Sequence, residues 1–188
     1  RREGEQQQEA APGEQTWTEE GLAKFLAAVA ASPLGTEGAA DLERLVRGEP
    51  GPPVTRVRRL VLLHRQLGDD GVAAAAAALP GCLGLEGLTL EDVGCGSRGA
   101  AALARALPHC ARLESVSLND NSLGCHGAQA LAEVLPQSKP LKYIHLRNNR
   151  IGDDGAVALA RGIARMHRVE TILIGRNDIG DRGATEWE

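Results

Sequence analysis

Aromatic residues are almost missing from this chain: one Phe, one Tyr and two Trp in 188 residues, with a single Met. Whatever core it has must be aliphatic rather than built on ring packing. No apolar run reaches about 18 residues, so no stretch reads as a membrane-spanning helix. An excess of one charge is also missing. Lys and Arg number 21 against 25 Asp and Glu, a formal net charge of -4. A nucleic-acid partner calls for a basic excess, and none is expected here. The four cysteines, Cys82, Cys95, Cys110 and Cys125, form no C-x-x-C, and the histidines show no ligand spacing. A metal site is therefore not expected. No nucleophile, base and orienter converge, which reads as a non-enzyme without a cofactor.

What is present is a repeat. The stretch LKYIHLRNNRIGDDGAVAL begins at Leu141, and a 28-residue step back gives LESVSLNDNSLGCHGAQAL at Leu113. The same step leads to Leu85 and Val57, and forward to Val169, so five copies share one phase without insertion or deletion. Within each copy apolar residues alternate, as in Leu141, Ile144 and Leu146. Alternation of period two marks a short strand with one buried face. An aliphatic residue or Cys95 follows, then glycine in every copy: Gly68, Gly96, Gly124, Gly152 and Gly180. Asp69, Ser97, Asp153 and Asp181 come next and are expected to be helix N-caps. Cys125 holds that slot in the third copy and should cap poorly. Helices are expected over roughly 70–79, 98–107, 126–135 and 154–165, with Ala and Leu favouring them. Asn121, Asn149 and Asn177 stand at the turn after the strand, where an amide can bond backbone groups left unpaired by curvature. Arg65 and Val93 fill that slot in the first two copies, and a looser turn is expected in both.

A repeat of 20 to 29 residues with this L-x-x-L-x-L-x-x-N-x-L pattern means a leucine-rich-repeat solenoid. The expected fold is α/β: a horseshoe segment with a parallel sheet on the concave face, helices on the convex face and a helical N-terminal cap. The 28-residue spacing with an outer helix resembles the ribonuclease-inhibitor-like leucine-rich repeats, a family that includes ribonuclease inhibitor, NOD-like receptor repeat regions and the Ran GTPase-activating protein. Cys82 and Cys110, shortly before the first Leu of a repeat, match a habit of ribonuclease inhibitor. The resemblance covers about Val57 to Trp187. It implies a binding scaffold rather than a given partner.

Residues 1–15 are polar and aperiodic, and read as a disordered tail. Residues 16–53 are expected to form the cap and connector. Thr16 to Glu19 reads as a capping box, followed by a helix through Leu22, Phe25 and Val29. A second helix from Thr36 should end at Gly48. Trp17 and Phe25 are the expected packing anchors. The repeats then occupy 54–188, the last copy incomplete. That incompleteness reads as a fragment of a longer array, or as Trp187 shielding the open edge; the first is preferred.

Several motifs imitate chemistry. Gly94-Cys95-Gly96-Ser97-Arg98-Gly99 matches G-x-G-x-x-G, the dinucleotide fingerprint. Gly96 and Gly99 are frame glycines found in every copy, so the repeat explains the motif. Asp69-Asp70 and Asp153-Asp154 look like catalytic carboxylate pairs, yet helix starts favour negative charge without catalysis. The cysteines read as buried, reduced thiols, which goes with a cytoplasmic compartment; a Cys82–Cys110 bridge stays open.

The informative surface is the exposed side of the strands. The frame places Arg59, Val61, Leu63 and His64 there in the first copy, and Gly87, Thr89, Glu91 and Asp92 in the second. Ser115, Ser117, Asn119 and Asp120 follow in the third, Tyr143, His145, Arg147 and Asn148 in the fourth, and Thr171, Leu173, Gly175 and Arg176 in the fifth. The expected protein-binding residues are Arg59, His64, Glu91, Asp92, Asp120, Tyr143, His145, Arg147 and Arg176. Tyr and Arg are frequent interface hot spots. The expected function is a protein-interaction scaffold, either a free-standing adaptor or a subunit of a larger assembly. The resemblance offers two alternatives: a GTPase activator like that of Ran, and the recognition fragment of a NOD-like receptor.

Overall fold

The computed structural model describes residues 17–187. The expected tail over 1–15 and Thr16 lie outside the described residues. Two helices come first, α1 (Glu19–Ala30) and α2 (Gly35–Val46). Thr18, not Thr16, caps α1: its Oγ1 accepts from the Gly21 N–H at 3.1 Å. Thr18 is the extended residue just before the helix, the geometry that aims a hydroxyl at free N–H groups. The same hydroxyl donates to Asp70 Oδ2 at 3.2 Å and ties this pair to the first repeat. α1 buries Leu22, Phe25 and Val29, and Trp17 is half-buried against the same core. Gly21 is needed at the crossing, where a Cβ would lie 2.6 Å from the Asp70 backbone.

Five strands follow: β1 (Arg59–Leu63), β2 (Gly87–Glu91), β3 (Ser115–Ser117), β4 (Tyr143–His145) and β5 (Thr171–Leu173). They form one parallel sheet in chain order. Arg59 pairs with Gly87, Gly87 with Ser115, Ser115 with Tyr143 and Tyr143 with Thr171, so the register equals the repeat length at each rung. Each strand is followed by a helix: α3 (Gly68–Ala78), α4 (Ser97–Ala106), α5 (Gly124–Val134), α6 (Gly152–Ile163) and the short α7 (Asp181–Ala184). The helices start one or two residues before the expected positions. Between sheet and helices run aliphatic ladders, such as Leu60, Leu88, Val116 and Ile144, all at most 3% exposed. Cys95 is fully buried in the ladder of Leu67, Leu123 and Ile151, as a small hydrophobe should be.

The expected N-caps are corrected. Asp69 and Asp153 sit inside the first turn of their own helices, and neither caps its own helix. Each reaches the next repeat instead. Asp69 Oδ1 accepts from the N–H groups of Gly96 (2.7 Å) and Gly99 (2.8 Å). Asp153 Oδ1 accepts from Gly180 (2.7 Å) and Gly183 (3.1 Å). The 28-residue stacking brings each helix start beside the next one, so a carboxylate there serves the neighbour's orphan N–H groups. Ser97 and Asp181 are simply first residues of α4 and α7. Gly96 and Gly180, served by an aspartate, are extended (φ -99° and -92°). Gly124 and Gly152 follow Ser97 and Cys125 and instead adopt φ of 63° and 66°.

The asparagines also work between repeats. Asn121 Nδ2 donates to Leu90 O (2.8 Å) and Leu118 O (3.0 Å), while its Oδ1 accepts from Val93 N and Cys95 N. The turn at Val93 is therefore not loose: its amides are held from the following rung, and Val93 is fully buried. Asn149 and Asn177 repeat the arrangement one and two rungs on. All four cysteines are free, so no Cys82–Cys110 bridge forms. Their thiols donate to Ala78 O and Ala106 O within their own repeats.

Candidate protein-binding surface

The strand residues that alternate with the core ladders point to the concave side, where no helix covers them. Val61 (37% exposed), Leu63 (41%) and Tyr143 (36%) are open large apolar groups on this side. Arg59 is exposed at the start of β1, its stem lying over Gly87. The middle of the face is closed by its own bonds. Glu91 Oε1 accepts from Ser117 Oγ and from Asn119 Nδ2 (3.0 Å). Ser117, expected to be exposed, is 5% exposed for this reason.

His64, Asp92, Asp120, Asn148 and Arg176 occupy one frame position just past the strands. All have positive φ, between 50° and 60°. His, Asp and Asn tolerate this left-handed backbone; a long Arg does so rarely. His64 Nδ1 lies 3.0 Å from Asp92 Oδ2, and Asn148 Nδ2 donates to Asp120 Oδ1 at 2.8 Å. Arg176 ends the column without a neighbour of that kind among the described residues.

The structure gathers three of the expected residues, Asp120, Arg147 and Arg176, around one cavity of about 490 Å³. Asn119, Asn148 and Gly175 complete its lining. The walls are fixed: the Arg147 backbone N–H donates to Asn119 Oδ1 at 2.9 Å. Arg147 and Arg176 form no ion pair among the described residues. The remaining expected residues lie outside this cavity. His64 and Asp92 pair with one another, Arg59 stands at the opposite edge, and His145 is half-buried in register with Ser117 and Leu173.

Tyr143 donates its hydroxyl to Glu170 Oε2 at 2.8 Å. That bond, with the charge of Glu170, holds the hydroxyl above its ordinary range. Glu170 was missed by sequence reasoning. It belongs to a second charged column one residue before the strands, Arg58, Glu86, Glu114, Lys142 and Glu170. Arg58 pairs with Glu86, and Lys142 with Glu114 at 3.0 Å. Applying the 28-residue step to that position would have found it. Asn119 and Asn148 were placed on the face but not among the binding residues.

The leucine-rich-repeat family profile matches residues 137–160. No curated protein matches the chain by sequence. Two solved structures are similar in fold. The actin-binding site 2 of leiomodin-1 superposes with a TM-score of 0.63 at 16% identity, over 72% of this chain and 78% of that one. The C-terminal domain of tropomodulin from Caenorhabditis elegans gives 0.61 at 12% identity, over 79% and 87%. The chain is a leucine-rich-repeat solenoid. In a leucine-rich-repeat solenoid each rung buries its apolar face only against its neighbours. On the concave sheet, side chains at both ends of the row, such as Val61, Leu63 and Arg147, are not taken up by this packing.

Proposed function

We propose that this leucine-rich-repeat chain is a protein-interaction scaffold that holds a partner protein on its concave β-face. It carries out no chemistry of its own, and its buried thiols suit a reducing compartment such as the cytoplasm. The observation that carries this reading is that the concave face leaves large apolar groups open at the first strand, Val61 and Leu63, and at the fourth, Tyr143, the latter on the same rung as Arg147, which has no ion pair among the described residues. Exposed apolar groups next to unpaired arginines are the composition of interface centres. The named activity of the leiomodin-1 neighbour, actin binding, supports a protein as the partner on this fold. The 28-residue period with an outer helix supports the ribonuclease-inhibitor-like class of repeat.

The test is affinity capture with quantification of the recovered partner, and actin cosedimentation in parallel. Val61→Arg, Tyr143→Ala and Arg147→Ala should each weaken capture about tenfold, the effect of losing an interface hot spot. Circular dichroism should be unchanged, since all three side chains stand outside the core. Wild-type affinity in all three variants would remove the concave-face reading.

A further inference from the structure

We infer, resting on the concave-face reading, that the cleft between Arg147 and Arg176 receives an acidic peptide segment of the partner protein. Three observations carry it. The first is charge. Two guanidinium groups face a cavity of about 490 Å³ whose single carboxylate is Asp120. Neither arginine has an ion pair among the described residues, whereas Lys142 pairs with Glu114 and Arg58 with Glu86; Arg59 is also without one, but stands at the far edge of the sheet, away from the cavity. Two arginines on adjacent rungs, with backbones about 5 Å apart rung to rung, can offer their guanidinium forks to one carboxylate.

The second is rigidity. Asn119 and Asn148 fasten the walls through the Arg147 backbone and Asp120, so the cleft exists before any ligand arrives. The third is backbone strain. Arg176 holds φ at 60° in a column where Asp, Asn and His are the less strained occupants. Arg150 shares this conformation (φ 55°) off the column; Arg176 is the strained arginine that lines the cavity.

Asp120 selects the kind of acidic ligand. With Glu91 and Asp92 on the preceding rung, it repels a continuous polyanion but leaves room for a peptide whose carboxylates are spaced among neutral groups. The occupant is therefore a protein segment rather than a nucleic acid.

The probe is a fluorescein-labelled peptide of three Glu-Gly-Ser units, whose carboxylates are spaced by neutral residues, read by fluorescence anisotropy on the whole chain. The wild-type protein should bind it saturably, and added salt should weaken binding. Arg147→Gln and Arg176→Gly should each lower affinity about tenfold, the loss of a charge-assisted hydrogen bond. Arg176→Gly also relieves the positive φ, so it removes the charge without endangering the fold. Asp120→Asn should tighten binding. Absence of saturable binding to the wild type would overturn the assignment. So would equal binding by the double variant, or tighter binding of labelled hexalysine or a single-stranded oligonucleotide. If Val61→Arg abolishes partner capture while Arg147→Gln and Arg176→Gly leave both capture and binding of the spaced-glutamate peptide intact, the cleft assignment falls and the concave reading stands. If Val61→Arg, Tyr143→Ala and Arg147→Ala all leave capture intact, the concave reading itself falls.

Discussion

Asn149 is fully buried and polar, which is tolerable only because its bonds are complete. Its amide donates to Leu118 O (2.8 Å) and Arg147 O (2.9 Å), and its own N–H is taken by Asn177 Oδ1. Asn149→Ala leaves two carbonyls without that donor and should cost about 3 kcal/mol in urea unfolding. The thiols give a second residue-scale expectation. Burial pushes Cys82 up to about 12 and Cys110 up to about 11 from an ordinary 9.0, and raises Cys95 as well. Between about pH 9 and pH 11 the unfolded chain sheds these protons while the folded chain keeps them. The unfolded state then binds fewer protons, so stability falls as pH rises through that window. A Cys82→Ala, Cys110→Ala double variant should flatten the alkaline decline in unfolding midpoints; an unchanged slope would contradict it.

At the scale of elements, α6 packs against α5 through Gly162. A Cβ at this position would lie 2.4 Å from the Ala132 carbonyl oxygen. In a free helix Gly→Ala gains about 1 kcal/mol. Here the neighbour is backbone and cannot turn aside, so the sign should reverse. Gly162→Ala is expected to destabilise by about 1–3 kcal/mol, read from the urea midpoint. Stabilisation would show that α5 and α6 are free to separate. The same closeness explains the exchanged caps: helix starts stacked side by side let Asp69 and Asp153 serve their neighbours.

Across the whole molecule burial declines toward the fifth rung. Leu60, Leu88, Val116 and Ile144 are buried, whereas Ile172 in the same ladder is half-exposed. Val169, Ile174 and Ile179 share that condition. The first rung is different, since α1 covers α3 and Phe25 is fully buried. Because stability is close to a sum of nearest-neighbour terms, opening should begin where neighbours are fewest. Native-state hydrogen exchange should find β5 and α7 least protected, and the rungs of β2 and β3 most. Equal protection in β5 and β2 would mean the array opens as one unit.

The period and its meaning were legible in the sequence because a constant 28-residue step leaves only one register in which all apolar positions coincide. The sheet, the outer helices, the burial of Cys95 and the role of the asparagines follow from that step alone. Which group serves which did not. Asp69 looks like a cap for its own helix, and only stacking shows that its carboxylate reaches Gly96. Ser117 looks exposed until Glu91 is seen to cover it. The nine expected binding residues look alike in the frame, yet side-chain pairing leaves Arg147 and Arg176 without ion pairs around one cavity. Local pattern decides which face a residue occupies, since that is fixed by backbone periodicity. Whether its charge is already answered depends on the next rung, and distances between rungs exist only in the folded chain.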